Sequence, residues 1–348
     1  MSNPEFNNKP DNPRQFYLIT SPRTGSNLLL KILALEDQPN VAFRKHGGYF
    51  FMPLLLLKTK LRCSWIHVEQ LSADQREQVE ECMKNCFHEL NQHVESANSE
   101  GKLVVVKEHS NFLTDPVAKT RFLYGEESVT QEMPWELRGP NELVQLTSRS
   151  IHNETILSDG FLKTWLPIFL IRHPALSFPS FYRACVRADG EEFMKSIPGR
   201  RSCQMVMTMR WTRKLHDFYV EHFNESNIQA EQGKAKAIWP IVLDADDIMT
   251  EPAVLVRLCN TIGLDRDRLR YQWEPADQVP PLWAQAFRTT LDSSTTINTK
   301  KAAGDIDINE EGRKWRDEFG EEDGQMIENY VRAAMLDYNF LKSKRLRA

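Results

Sequence analysis

The chain has 348 residues, of which 41% are hydrophobic and 26% charged, and its formal net charge is −4. That length can bury a sizeable core, and the acidic balance argues against a general nucleic-acid binder. The longest apolar run, residues 50–57, is far too short to span a membrane. Six cysteines without a CxxC pair or a zinc-like Cys/His spacing suit a reducing compartment rather than a disulfide scaffold. With no signal peptide and a polar stretch over 1–14 read as a disordered tail, the expectation is a cytoplasmic protein.

In chain order, residues 16–20 read as a short buried strand, 21–25 as a tight loop of small residues, and Ser26 as the opening of a helix. A strand feeding a helix through such a loop is an anion site, because the first helical N–H groups lack partners and the dipole favours negative charge. Arg23 adds a cation there, and Thr24, Ser26 and Asn27 add side-chain donors. An ordinary strand–turn–helix connection is the plain alternative.

Residues 40–70 mix basic, aromatic and aliphatic groups and read as a pocket wall or cap, with a buried helix as the other option. Ser72 to Gln75 is a capping-box start, and apolar positions from Val79 to Val94 recur at helical spacing. The run over 102–106 is a second buried strand, delivering Lys107, Glu108 and His109 past its end.

A long connection follows over 114–160. The run 166–171 is a third strand and delivers Arg172, followed by a helix over about 175–187. Residues 204–223 read as one long helix, 238–243 as a fourth strand, and Pro252 as the opening of a helix closed by Gly263. Residues 264–312 look irregular, and 321–337 read as a final helix. Strands alternating with helices, without hairpin signals, give an α/β class: a single domain over 15–342 with a central parallel β-sheet flanked by helices.

The loop over 21–27 lacks the lysine of a triphosphate-binding GxxxxGK[ST] signature, which weakens a nucleotide-kinase reading. Four segments in order instead resemble the sulfotransferase family, whose donor is 3′-phosphoadenosine 5′-phosphosulfate. Ser21-Pro-Arg-Thr-Gly-Ser-Asn-Leu28 is similar to its 5′-phosphosulfate loop, with Arg23 in place of lysine. The segment from Arg172 to Arg183 resembles the 3′-phosphate motif, Val104-Val-Val-Lys-Glu-His109 the strand presenting a catalytic histidine, and Ile241 to Asp247 a late strand–helix pair.

The resemblance implies a P-loop NTPase-like sulfotransferase fold with long insertions. The implied reaction moves a sulfuryl group to the hydroxyl of a small-molecule acceptor by in-line displacement, without a metal. It implies His109 as general base, Lys107 beside it on the sulfuryl oxygens, and Glu108 as the second candidate base. Arg23 would sit at the reacting end, and Thr24, Gly25, Ser26 and Asn27 would hold the 5′-phosphate. Arg172 and Ser180 would hold the 3′-phosphate, with Lys300 and Lys301 as part of a closing loop. Lys300-Lys-Ala-Ala-Gly-Asp305 and Gly312-Arg-Lys-Trp315 each resemble half of that loop.

The expected partner is the small-molecule acceptor, in a partly apolar pocket with aromatic residues from 43–65 and Trp135 or Trp165. No nucleic acid and no membrane partner is expected, and a homodimer is one allowed assembly. The alternative kept open is a sulfotransferase-fold enzyme acting on another phosphorylated or anionic substrate.

Overall fold

The computed structural model describes residues 14–44, 47–139, 149–229, 239–274, 285–287 and 293–348. The expected tail over 1–14 lies outside the described residues except for Arg14. Its carbonyl accepts from Val104 N and so extends the pairing of the first strand with the strand over 103–109.

Five strands form one parallel sheet in the order β2-β3-β1-β4-β5. They are β1 (Gln15–Thr20), β2 (Val41–Phe43), β3 (Leu103–His109), β4 (Leu166–Ile171) and β5 (Ile241–Asp244). Alternation along each strand divides the core into two faces. Phe16, Leu18, Val105, Ile168, Leu170 and Leu243 pack under α1 (Ser26–Leu33) on one side. Tyr17, Ile19, Val104, Val106, Phe169 and Val242 face the larger helical layer on the other.

The chain runs from β1 to the β2–β3 side and then crosses to β4 and β5, so the connection order reverses around β1. In such sheets the ligand crevice lies outside the carboxyl ends of the strands at this reversal. The helices bordering that end are α1, α2 (Met52–Lys60), α4 (Pro116–Tyr124) and α5 (Pro174–Asp189), while α3 (Ala73–Ser99) braces β3 from behind. The capping box forms as expected, with the Ser72 hydroxyl accepting from Gln75 N and the Gln75 side chain accepting from Ser72 N.

Several expectations change. Lys107, Glu108 and His109 lie within β3 rather than past it, because β1 continues opposite them to the pair Thr20–His109. The helix expected over 204–223 is two, Ile197–Val206 and Arg210–Gln229, since Met207 leaves helical geometry at ψ 53° while the apolar period runs on across the break. The fourth strand begins at Ile241, and Ile238 lies outside the described residues. Within 264–312, taken as irregular, Ile308–Phe319 is a helix that packs on the C-terminal helix Glu321–Ser343. Among the described residues no helix is long and apolar enough to cross a membrane.

Candidate functional site

The carboxyl ends of β1, β3 and β4 open into a cavity of about 1330 Å³. The loop 22–28, His109 and Arg172 line it, together with Tyr49 and the inner face of α2. Residues 40–70 therefore include a pocket wall, one of the two readings left open. Trp65 lines the cavity, whereas Trp135 and Trp165 pack in the core away from it.

The loop after β1 folds as an anion cradle. Arg23 and Gly25 both adopt left-handed backbone, at φ 66° and 86°, which turns the chain sharply into α1. At Gly25 this conformation carries no Cβ penalty. Thr24 Oγ1 donates to the Ser21 carbonyl at 2.8 Å and fixes the turn. No side chain caps α1, so its first N–H groups remain available at the cavity. Asn27 Oδ1 accepts from Lys107 Nζ at 2.8 Å, which leaves the Asn27 amide nitrogen as the remaining donor.

Cations gather beside this loop. Arg23 Nε donates to Ser180 Oγ at 2.9 Å, and its Nη1 donates to the Phe287 carbonyl. Arg172 spreads its fork between two main-chain oxygens, Arg23 O at 3.1 Å and Lys301 O at 3.0 Å. Among the described residues Arg23, Arg172 and Lys301 make no ion pair. Burial and then the Arg172 charge push the Arg23 pKa down, and burial followed by Arg172 and Arg23 does the same to Lys301. The Arg172 pKa is also lowered by burial, and its Nε is buried without a hydrogen-bond partner.

Arg23 was expected at the reacting end, apart from Arg172 and Ser180. Instead its guanidinium turns to Ser180, because a planar group with five donors takes the acceptors within reach. Lys301 lines the cavity, while Lys300 is exposed and lies outside the lining. Gly312 and Trp315 lie in the helix 308–319, with Trp315 buried in the core, so the resemblance to a closing loop is carried by residues near 301 and not by 312–315.

The second cluster centres on His109, which is only 8% exposed. Its Nδ1 is 2.7 Å from Thr20 Oγ1, and that hydroxyl donates to the Glu108 carbonyl at 3.1 Å. The imidazole therefore carries its proton on Nδ1, which leaves Nε2 as the acceptor for the Tyr49 hydroxyl at 2.8 Å. Burial, then the Lys107 charge, push the His109 pKa well below its ordinary value, so the ring is a neutral base. Lys107 is fully buried outside the cavity lining, with its ammonium 4.1 Å from the Tyr49 ring centre.

Glu108 faces the opposite side of the sheet, as strand alternation requires, and is not available as a base in the cavity. Its Oε1 accepts from Phe50 N and Phe51 N, the latter at 2.9 Å, and burial pushes its pKa up to about 8. The segment 48–51 thus straddles the end of β3. Gly48 permits this at φ 82°: a Cβ there would stand 2.8 Å from the Phe43 ring and 3.2 Å from Lys107 Cβ. Tyr49 and Thr20 escaped the sequence reading because their value lies in contacts across the sheet. Among the described residues no group of three or more His, Cys, Asp or Glu side chains could hold a metal ion.

No protein-family profile matches the chain. Two curated relatives match it nearly end to end. Sulfotransferase ppzF of Metarhizium rileyi is 41% identical over 347 residues, covering 97% of this chain and 98% of the relative. Sulfotransferase ppzF of Metarhizium majus is 41% identical over 344 residues, with the same coverage. Among solved structures, the sulfotransferase domain from the curacin biosynthetic pathway aligns with a TM-score of 0.40 at 14% identity, over 92% of this chain and 98% of that one. The sulfotransferase domain of the Synechococcus PCC 7002 olefin synthase aligns at 0.37 and 15%, over 85% and 89%. At 41% identity over 97% of its length to both curated relatives, the chain belongs to the sulfotransferase family.

Proposed function

We propose that the protein transfers a sulfuryl group from 3′-phosphoadenosine 5′-phosphosulfate to a hydroxyl of a small-molecule acceptor. The observation that carries this reading is the trio Arg23, Arg172 and Lys301, gathered without an ion pair among the described residues beside the uncapped start of α1. Like charges held this closely lower one another's pKa, and a multiply charged anion relieves that cost. A donor with phosphate groups at two positions of its ribose fits both the helix start and the cation trio.

In this reading the N–H groups of the first turn of α1 hold the 5′-phosphosulfate, with Thr24, Gly25, Ser26 and Asn27 shaping the cradle. Arg172, Ser180, Lys301 and Arg23 hold the 3′-phosphate. The donor supplies the sulfuryl group, and the chain supplies orientation, charge and a base. His109 Nε2 takes the acceptor's hydroxyl proton as that oxygen bonds to sulfur, and the sulfur–phosphate oxygen bond breaks. Thr20 holds the imidazole in the tautomer this requires. Lys107 fixes Asn27 and supports Tyr49 from beneath.

Binding of adenosine 3′,5′-bisphosphate tests the reading. The bisphosphate should raise the Tm of the wild-type protein, and Arg172→Ala should remove the shift. No shift at millimolar bisphosphate, or no sulfuryl transfer to any of a broad panel of alcohols and phenols, would overturn it.

A further inference from the structure

Besides His109, Phe112 and the cation trio, the cavity is lined by a second basic cluster, Lys58 of α2 and Lys119 of α4, whose charges act on one another. Lys58 reaches it from α2, where Met52, Leu55 and Thr59 share the cavity-facing side of the helix. Lys119 reaches it from α4 and donates to the Ser64 carbonyl at 3.0 Å. Ser64 lines the same cavity, is 5% exposed, and its hydroxyl is buried without a hydrogen-bond partner.

Among the described residues neither lysine makes an ion pair. The nearest acid, Asp115, is already committed as the cap of α4: its Oδ2 accepts from Ala118 N at 2.9 Å and its Oδ1 from Trp135 N at 2.8 Å. Two ammonium groups facing one cavity, next to an unsatisfied hydroxyl, are costly unless an anion completes them. The cavity lining also includes the apolar Met52, Leu55 and Phe112.

Building on the proposed sulfuryl transfer, we propose that Lys58, Lys119 and the Ser64 hydroxyl form an anion subsite that selects acceptors carrying a carboxylate opposite the hydroxyl to be sulfated. The acceptor class is then a hydroxy acid with an apolar body: the carboxylate sits on the lysine pair, the body lies along α2, and the hydroxyl reaches His109. Burial, then the Lys58 charge, lower the Lys119 pKa to about 7, so a bound carboxylate would favour its ammonium form. The donor's phosphates are not the occupant, since the loop and the cation trio provide for them.

The test uses hydroxyphenyl alkanoic acids of graded chain length and their carboxamides, with affinity measured calorimetrically with and without saturating adenosine 3′,5′-bisphosphate. At the best chain length the acid should bind at least about tenfold more tightly than its amide. Lys58→Met and Lys119→Met should each abolish most of that preference while leaving bisphosphate affinity, which reports folding, at the wild-type value. The matched phosphonates form a further arm. A phosphonate bound more tightly than the acid, with the same dependence on both lysines, would overturn the carboxylate assignment. Equal affinity for acid and amide at every length, or an acid preference that survives both substitutions, would overturn the subsite itself. Loss of bisphosphate binding by the wild-type protein would count against the donor reading alone, because the acid–amide comparison is made without it as well.

Discussion

The Tyr49 hydroxyl donates to His109 Nε2 at 2.8 Å, so the lone pair that a general base would use already has an occupant. For a proton to reach Nε2, the acceptor hydroxyl must either displace that contact or pass its proton through the tyrosine oxygen. Either route makes Tyr49 part of the approach to the base. The same ring lies over Lys107 and meets His109 and Phe112 at 5.0 and 5.6 Å between centres.

Tyr49→Phe keeps the ring and removes only the hydroxyl. If protons pass through it, kcat should fall by roughly tenfold or more. If the contact is merely displaced, kcat should hold or rise because Nε2 is freed. Bisphosphate affinity should be unchanged in either case, and steady-state kinetics with a calorimetric Kd separates the outcomes.

His109 should give the activity profile an unusual acid limb. Its pKa is depressed by burial and by Lys107, so the ring stays neutral below the ordinary histidine value. The limb of kcat/KM should therefore lie below about pH 6.5, and His109→Ala should reduce kcat by about 100-fold or more. Stability follows the same sign: the contribution of His109 is fully present above its unfolded pKa and is lost as pH falls through that value toward the folded one.

Glu108 titrates in the opposite sense. Its folded pKa is raised to about 8 from an ordinary 4.5, so its contribution to stability is fully present below 4.5 and is lost as pH rises through 8. Glu108→Gln keeps the oxygen that accepts from Phe50 and Phe51 and removes the ionisation. Melting curves between about pH 6 and pH 9 should show a steeper decline in Tm for wild type than for the variant. Parallel curves would count against a neutral Glu108.

Arg172→Lys should fail as a replacement. A single ammonium cannot span Arg23 O and Lys301 O as the guanidinium fork does. Bisphosphate affinity should drop by about 100-fold for Arg172→Ala and by nearly as much for Arg172→Lys, on the scale of a lost bidentate charged contact. Isothermal titration reads both values.

Gly48→Ala tests the crossing of β3. The added methyl would press on the Phe43 ring and Lys107 in a backbone region that suits glycine. A loss of about 1–3 kcal/mol in denaturant unfolding is expected, with Tyr49 displaced and activity reduced as a consequence.

Much of this was legible in the sequence where one strong local signal dominated. The apolar runs of β1, β3 and β4 mark strands buried on both faces, and the 21–27 loop, His109 and Arg172 follow from strand ends, whereas Ser180, inside the helix after β4, came from the family resemblance. What escaped depends on distant neighbours. β2 is only Val41–Phe43 and is recognisable mainly by its pairing with Leu103–Val105. The helix over 308–319 was obscured by Gly312, which reads as a breaker in isolation. In the fold that glycine lets Glu328 approach so closely that a Cβ would collide with its carboxylate. Lys58 and Lys119 are 61 positions apart and share a cavity because the turn after α2 brings Ser64 to the Lys119 ammonium.

The fork of Arg172 grips residues 23 and 301 by their carbonyl oxygens alone. Every amino acid carries that oxygen, so the grip is blind to which side chains those two positions bear. Position 301, and position 23 within what its left-handed backbone admits, can thus be re-lettered, by drift or by design, without unfastening the two segments from each other. A library randomised at both would vary the charge offered to the donor while the frame around it stays closed.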